Sequence, residues 1–218
     1  LHYPLRRQRQ MCIRDRGIND VLALRGDPPR GSRVFIPDPG GHRNTSELVK
    51  QITDMNRGHY LDPDLKNTAA TSFCIGVAGY PEKHFEAPNM KSDMANLKRK
   101  VDAGACYIVT QMFFDNQKFY AFRDALRAMG VMVPLIPGIK PVSAMTDVNL
   151  LPQTFHIDMP EELVHELSKC RSDEEAREVG IEWAAEQSRD LLKNEVPGIH
   201  YYTLGRSDNV ARIVKASF

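Results

Sequence analysis

The chain has 218 residues, of which 42% are hydrophobic and 26% charged, and its formal net charge is +1. A charge so close to zero gives no reason to expect nucleic acid as a partner, and the lack of an apolar run of about 18 residues excludes a membrane-spanning helix. No secretory signal is recognisable, so we expect a cytoplasmic protein. Its four widely spaced cysteines predict free thiols and no metal site.

The positive charge is concentrated at the N-terminus. Residues 1–16 contain five arginines and one aspartate, a net charge of +4, which leaves −3 for residues 17–218. A basic arm is one interpretation of such a segment. The string MCIRDR, however, resembles translated adapter sequence. We therefore expect residues 1–16 to be non-native and the native sequence to begin near Gly17.

Apolar runs and amphipathic stretches alternate along the rest of the chain. Five short apolar runs predict buried strands, at residues 18–24, 72–78, 106–114, 133–138 and 199–205. Four amphipathic stretches predict helices, at residues 45–55, 91–103, 116–129 and 173–193. Asn44 and Ser172 are the expected N-caps, and Gly104 and Gly130 follow two of the helix ends. The alternation predicts one α/β domain with parallel strands.

The ends of the strands favour a (β/α)8 TIM barrel over a dinucleotide-binding sheet. Neither GxGxxG nor the P-loop sequence GxxxxGK[ST] occurs. Polar or special residues instead follow the strands at the end where barrel enzymes carry their chemistry. Because eight βα units need about 250 residues, we expect an N-terminally truncated barrel with about five of its eight strands, formed by residues 17–218.

Several side chains near these strand ends are candidates for function. Asp27 follows the first strand and is either a solvated turn aspartate or a carboxylate at the barrel mouth. Residues 79–89 hold Tyr, His, two Glu and Asn without the HExxH spacing of a metal site, which favours a loop bordering a ligand. Gln111 is an amide among apolar neighbours, and an unpaired amide there would cost about 1–3 kcal/mol. At a strand end it could bind the edge of a heteroaromatic ring.

The predicted helix over residues 91–103 carries polar side chains beside its core stripe. Asp93, Asn96 and Lys100 repeat with helical spacing, and Arg99 is adjacent. They form either a solvated face or a site in which the two cations bind phosphate oxygens and the other two bind sugar hydroxyls. The sequence pattern leaves both interpretations open.

Six segments, in order along the chain, together resemble the methylenetetrahydrofolate reductase family. They are LRGDPP (24–29), AGYPEKH (78–84), NLKRKVDAGA (96–105), TQMFFD (110–115), IPGIKP (136–141) and YYTL (201–204). One such string alone is weak evidence for the family, whereas six in the same order are highly specific for it. The resemblance extends from about Ile18 to the C-terminus.

This resemblance implies a barrel that binds FAD noncovalently. It implies that NADH or NADPH reduces the flavin and that 5,10-methylenetetrahydrofolate then takes the hydride to become 5-methyltetrahydrofolate, the methyl donor for methionine supply. A homo-oligomer is compatible with the full-length parent. By motif position, Asp27 is the catalytic residue near both flavin and folate, and Gln111 and Arg206 correspond to folate contacts. The implied FAD contacts are Arg25, Gly26, Asp27, Tyr80, His84, Asp93, Asn96, Arg99 and Lys100.

The chain also departs from the family. Nothing in it matches the glutamate and threonine that the family carries on its first barrel strands, and Asp147 and Leu151 stand where relatives can carry Gln and Phe. Two alternatives to an active reductase therefore stay open. In the first the chain is a noncatalytic remnant, and in the second it belongs to another barrel enzyme that acts on a phosphate-bearing substrate.

Overall fold

The computed structural model describes residues 17–26, 28, 34–203, 205 and 207–218. The expected non-native arm and two predicted site residues, Asp27 and Arg206, lie outside the described residues. In chain order the elements are β1 (Asp20–Ala23), α1 (Thr45–Asn56), β2 (Cys74–Gly79), α2 (Met90–Asp102), β3 (Tyr107–Met112), α3 (Asn116–Ala128), β4 (Leu135–Ile139), α4 (Asp147–Phe155), α5 (Glu161–Lys169), α6 (Asp173–Lys193), β5 (His200–Tyr201) and α7 (Asp208–Ser217).

The strands form one sheet in the order β1-β2-β3-β4-β5. β1 pairs in parallel with β2, with Asp20 opposite Cys74, and β4 pairs in parallel with β5, with Gly138 opposite His200. Within the described residues each strand overlaps one of the five predicted runs, so the α/β class is confirmed. Parallel neighbours in sequence order, with helical connections, are the connectivity of part of a (β/α)8 barrel.

The four predicted helices are α1, α2, α3 and α6, and their ends follow local capping chemistry. Helix α6 begins directly after Ser172, whose hydroxyl accepts a hydrogen bond from the backbone N–H of Glu175 at 3.3 Å. Helix α1 begins after Asn44, whose backbone N–H donates to Oε2 of Glu47 at 3.2 Å. These contacts satisfy backbone groups that a helix end leaves without an intrahelical partner. Helices α4, α5 and α7 were not predicted.

By compactness the described residues divide into two units, the first formed by those up to Ala78 with Asn96–Ile108 and the second by Gly79–Ala95 with those from Val109 to Phe218. In the first unit the ring of Tyr107 lies against Gly76, where an added Cβ would be 2.3 Å from the ring. The Tyr107 hydroxyl is 3.5 Å from the carbonyl oxygen of Val21, on the strand beyond. Position 76 is therefore a close approach that admits only glycine while residue 107 is a tyrosine.

The second unit contains a hydrophobic core between its strands and helices. Met112 and Phe114 pack there with Leu151, Leu163 and other buried residues. Trp183 lies at the border of this core, and its indole N–H donates to the carbonyl oxygen of Phe114 at 3.0 Å. The polar end of a largely apolar side chain is thus satisfied. Among the described helices, none has the length and apolar character needed to cross a membrane.

Candidate functional site

In the second unit, the loop that joins β2 to α2 is tied to the first turn of the helix. The backbone N–H of His84 donates to Oδ2 of Asp93 at 2.9 Å, and Asp93 is only 8% exposed. The ring centroids of Tyr80 and His84 are 4.6 Å apart in an edge-to-face arrangement. The structure therefore brings together three of the predicted site residues, and a carboxylate near a helix N-terminus is electrostatically favoured.

In the first unit, the second half of α2 carries the other three predicted polar residues. Arg99 is exposed, and its guanidinium donates to Oδ1 of Asn96, three residues earlier on the helix. The ammonium of Lys100 donates to the carbonyl oxygen of Ala78, near the end of β2, at 3.0 Å. Lys100 thus helps to hold the helix on the strand, while Arg99 offers a positive charge to solvent.

Arg25 and Gly26 follow β1 in the first unit. The guanidinium carbon of Arg25 lies 4.8 Å from the centroid of the Phe35 ring, a cation–π contact, and an added Cβ on Gly26 would be 3.8 Å from the same ring. Phe35 is thus a neighbour of both residues. None of the predicted strands, helices or motifs included Phe35, so the sequence patterns did not indicate it.

Gln111 lies on β3 in the second unit, one residue before the strand ends. Its side-chain oxygen Oε1 accepts a hydrogen bond from the backbone N–H of Met112 at 2.9 Å. Binding the edge of a heteroaromatic ring, as the sequence suggested for Gln111, would use both the donor and the acceptor of the amide. Because the oxygen is already bonded to the backbone, Gln111 presents chiefly its nitrogen Nε2, which is a hydrogen-bond donor.

A cluster of charged groups that the sequence did not indicate surrounds Glu82 in the second unit. The Lys118 ammonium lies 2.9 Å from Oε1 of Glu82 and 2.5 Å from Oδ2 of Asp158. The backbone N–H of Asp158 donates to the other oxygen of Glu82 at 2.7 Å. Burial raises the pKa of Glu82, and the hydrogen bond with Lys118 opposes that effect. Residues distant in sequence make this cluster, so no local pattern could reveal it.

A second unpredicted charge lies at the end of β4. Lys140 follows the strand directly and is 6% exposed, and its ammonium donates to the carbonyl oxygen of Pro141 at 3.2 Å. In the sequence, Lys140 belongs to the segment IPGIKP, which contributed to the family resemblance but gave no role for the lysine. On the neighbouring part of the sheet, the hydroxyl of Tyr202 donates to the carbonyl oxygen of Thr110 at 2.8 Å, and burial raises the pKa of Tyr202.

Comparison with known proteins identifies the family of this chain. The family model described as methylenetetrahydrofolate reductase matches residues 6–217. The chain belongs to the methylenetetrahydrofolate reductase family. The resemblance inferred from the six sequence segments is therefore confirmed.

Individual relatives agree with this assignment. Methylenetetrahydrofolate reductase 1 of Schizosaccharomyces pombe is 35% identical over 200 residues, which cover 91% of this chain and 31% of the relative. Methylenetetrahydrofolate reductase (NADH) 1 of Arabidopsis thaliana is 38% identical over 202 residues, which cover 88% of this chain and 32% of the relative. The chain thus spans about a third of the length of each of these two reductases.

A solved structure shares the fold. It is an uncharacterized protein from Clostridium thermocellum that binds two copies of 5-methyl-5,6,7,8-tetrahydrofolic acid. The TM-score is 0.51 at 17% sequence identity, with 87% of this chain and 64% of the other covered. At this identity the similarity supports the α/β fold of the present chain and says nothing about the ligands of the present chain.

Proposed function

We propose that the protein containing this chain reduces 5,10-methylenetetrahydrofolate to 5-methyltetrahydrofolate, with FAD as cofactor and NADH or NADPH as reductant. The observation that carries this proposal is the family match, which extends over residues 6–217. The NADH in the name of the Arabidopsis relative supports a nicotinamide as the source of the hydride. Since the chain spans about a third of that relative, the proposal concerns the whole protein.

Within each unit, taken by itself, the polar groups are of kinds that bind parts of a dinucleotide such as FAD. A dinucleotide presents a pyrophosphate, which calls for cations, and hydroxyl groups, which call for carboxylate or amide partners. In the first unit the exposed guanidinium of Arg99 and the anchored ammonium of Lys100 supply positive charge beside the amide of Asn96. In the second unit Asp93 is held in place by the backbone of His84. When bound, FAD supplies the capacity to accept a hydride and to pass it on.

Each described residue then has a role of its own. Arg99 and Lys100 bind phosphate oxygens, and Asn96 and Asp93 bind hydroxyl groups. Tyr80 and His84 border the cofactor through their adjacent rings. Gln111 donates from Nε2 to an acceptor atom of the folate, because its oxygen is bonded to Met112. For Arg25, Gly26, Asp27 and Arg206, the motif positions support contacts with FAD or folate, with Asp27 as the catalytic carboxylate.

We also propose that the sheet is part of an eight-stranded barrel. Among the strands of the described residues β1 lies at one edge of the sheet, where apolar side chains are exposed: Ile18 before the strand is 49% exposed, and Leu22 within it is 41% exposed. An open edge with exposed apolar residues favours association with another strand. Closure of the barrel by a further strand would cover this edge.

Purification of the full-length protein tests the proposed function. We expect the visible absorbance of a bound flavin, oxidation of NADH or NADPH with a quinone as acceptor, and formation of 5-methyltetrahydrofolate from 5,10-methylenetetrahydrofolate. Arg99→Ala should weaken FAD binding by about tenfold or more, since it removes a charged partner of an anion. The matched control is Lys91→Ala, which removes an exposed cation from the same helix. A colourless protein without either activity would overturn the proposal.

A further inference from the structure

Lys83 has an unusual backbone conformation in the loop between β2 and α2. Its φ is 79°, in the left-handed region that residues other than glycine rarely adopt. Lys83 closes a turn, since its backbone N–H donates to the carbonyl oxygen of Tyr80 at 3.2 Å. A non-glycine residue persists in this region only when surrounding contacts compensate for the strain, and such residues concentrate at ligand-binding loops.

The side chain of Lys83 supplies those contacts. Its ammonium donates to the carbonyl oxygen of Ala87 at 2.8 Å and to that of His84 at 3.0 Å. Ala87 is 7% exposed, and its own N–H donates to the His84 carbonyl oxygen at 3.0 Å. Without the ammonium, the carbonyl of Ala87 would lose a partner in a largely buried position. The lysine therefore closes residues 83–87 into a compact turn.

This turn fixes His84 from several directions. The His84 carbonyl oxygen accepts from Lys83 and Ala87, and its N–H is bonded to Asp93. The ring nitrogen Nδ1 lies 3.2 Å from the backbone N–H of Glu86, which donates to it. In the neutral imidazole the proton is therefore on Nε2, so that nitrogen is the donor of the ring. All these residues belong to the second unit.

We propose that Lys83 is a positioning residue that forms the cofactor-binding turn before the cofactor arrives. By holding the turn 83–87 closed, it fixes the directions of the His84 imidazole and, through the His84 N–H, the Asp93 carboxylate. A loop that is already ordered loses less conformational freedom when it binds its ligand, which increases affinity. The inference rests on the proposed function where it names FAD as that ligand.

Three substitutions at position 83 separate the effect of the ammonium from the effect of the strained backbone conformation. Lys83→Met removes the ammonium and keeps most of the carbon chain, Lys83→Arg keeps a cation, and Lys83→Gly removes the side chain and relieves the strain at positive φ. Lys91→Met is the control, because Lys91 is exposed and lies just inside α2. Each full chain is measured by amide hydrogen exchange without FAD and by FAD titration followed through flavin fluorescence.

We expect the amides of His84 and Ala87 to exchange about tenfold faster in Lys83→Met and in Lys83→Gly, because their turn opens more often. FAD should bind about tenfold more weakly to both variants. Lys83→Arg should restore part of each property, and Lys91→Met should change neither.

Unchanged exchange at His84 and Ala87 in Lys83→Met would overturn the proposal, whatever happens to FAD. Faster exchange in Lys83→Met with wild-type exchange in Lys83→Gly would also overturn it, since backbone strain and not the ammonium would then govern the turn. If the wild-type protein bound no FAD, the proposed function would fail, whereas the exchange data would still decide whether Lys83 orders the turn.

Discussion

Lys140 and Asp147 form a buried ion pair, with Nζ of Lys140 3.6 Å from Oδ2 of Asp147. The lysine follows β4, and the aspartate is the first residue of α4. The same carboxylate oxygen accepts hydrogen bonds from the backbone N–H and the hydroxyl of Ser143, at 2.8 and 3.1 Å. The pair therefore joins the two ends of the loop between strand and helix.

The two partners of this pair should differ in what their removal costs. Asp147→Asn removes the negative charge beside the buried ammonium, whose hydrogen-bond acceptor among the described residues is the Pro141 carbonyl, and we expect a loss of about 3–5 kcal/mol in the free energy of unfolding. Lys140→Met leaves a carboxylate that keeps both Ser143 hydrogen bonds, so we expect a smaller loss of about 1–3 kcal/mol. Urea unfolding measures both.

The control is Lys50→Met, which breaks an exposed pair between Lys50 and Asp54 on α1. Exposed pairs contribute about 0–1 kcal/mol, so this variant should stay close to wild type. A greater loss in Lys140→Met than in Asp147→Asn would contradict the prediction.

Gly138→Ala should destabilise the sheet. An added Cβ would lie 2.3 Å from the Thr110 carbonyl oxygen and 2.7 Å from the Tyr202 ring, and the backbone contact cannot be relieved by a rotamer change. Overpacking of this kind costs about 1–3 kcal/mol, measured as a lower midpoint in thermal or urea unfolding. Gly198→Ala is the matched control, because nothing lies within 4 Å of its added Cβ. Equal midpoints for the two variants would refute the prediction.

Asp190 should make the free energy of unfolding depend on pH in the acid range. Oδ2 of Asp190 accepts a hydrogen bond from the Tyr120 hydroxyl at 2.6 Å and another from the Asn116 side-chain amide at 2.7 Å. The hydrogen bond from Tyr120 lowers the pKa of Asp190 from its usual 3.8, against the effect of burial. Because the folded-state pKa is depressed, this stabilisation is present above pH 3.8 and is lost as the pH falls through the folded-state value.

Tyr120→Phe should therefore destabilise the protein more at pH 7 than at the acid end of the transition, as measured by urea unfolding across that range. Tyr60→Phe is the comparison, since the Tyr60 hydroxyl donates to the Ala69 carbonyl at 2.7 Å and to no carboxylate among the described residues. Its effect should be the same at every pH. A pH-independent effect of Tyr120→Phe would show that Asp190 is not the responsible group.

Gln111→Glu should separate the folate step from the flavin step, if the proposed function holds. The variant keeps an oxygen that can accept the Met112 N–H but replaces the donor nitrogen with a second acceptor. We expect kcat/KM for methylenetetrahydrofolate to fall about ten- to hundredfold, while NADH oxidation by a quinone is unchanged. Gln111→Leu should reduce the folate reaction as well. An equal loss in both reactions would argue against a role in folate binding.

Most of the fold follows from local sequence chemistry. Ser172 predicts the first residue of α6 because its hydroxyl caps the helix, and apolar runs predict the strands because both faces of a parallel strand are covered. The sequence pattern does not predict helix α4, because this helix contains Pro152, which lacks an N–H and normally ends a helix. The short helix α5 had no glycine or cap signal that separated it from its surroundings.

The candidate site was predictable as a set of residue types and not as a set of contacts. The motif positions indicate His84, Asp93 and Gln111, but not that Asp93 holds the His84 backbone or that Gln111 bonds to its own neighbour. The left-handed φ of Lys83 is likewise invisible in the sequence, because lysine has no preference for it. Such features depend on tertiary packing, which a local pattern does not encode.

The tyrosine that crosses β2 has a consequence for how this protein can change during evolution. Tyr107 reaches over Gly76 to the carbonyl of Val21, so its size is tolerated only because position 76 has no side chain. Any larger residue at 76 would have to be accompanied by a smaller one at 107. Such an exchange would remove the hydroxyl near β1. The two positions are therefore expected to covary, and neither is free to drift alone.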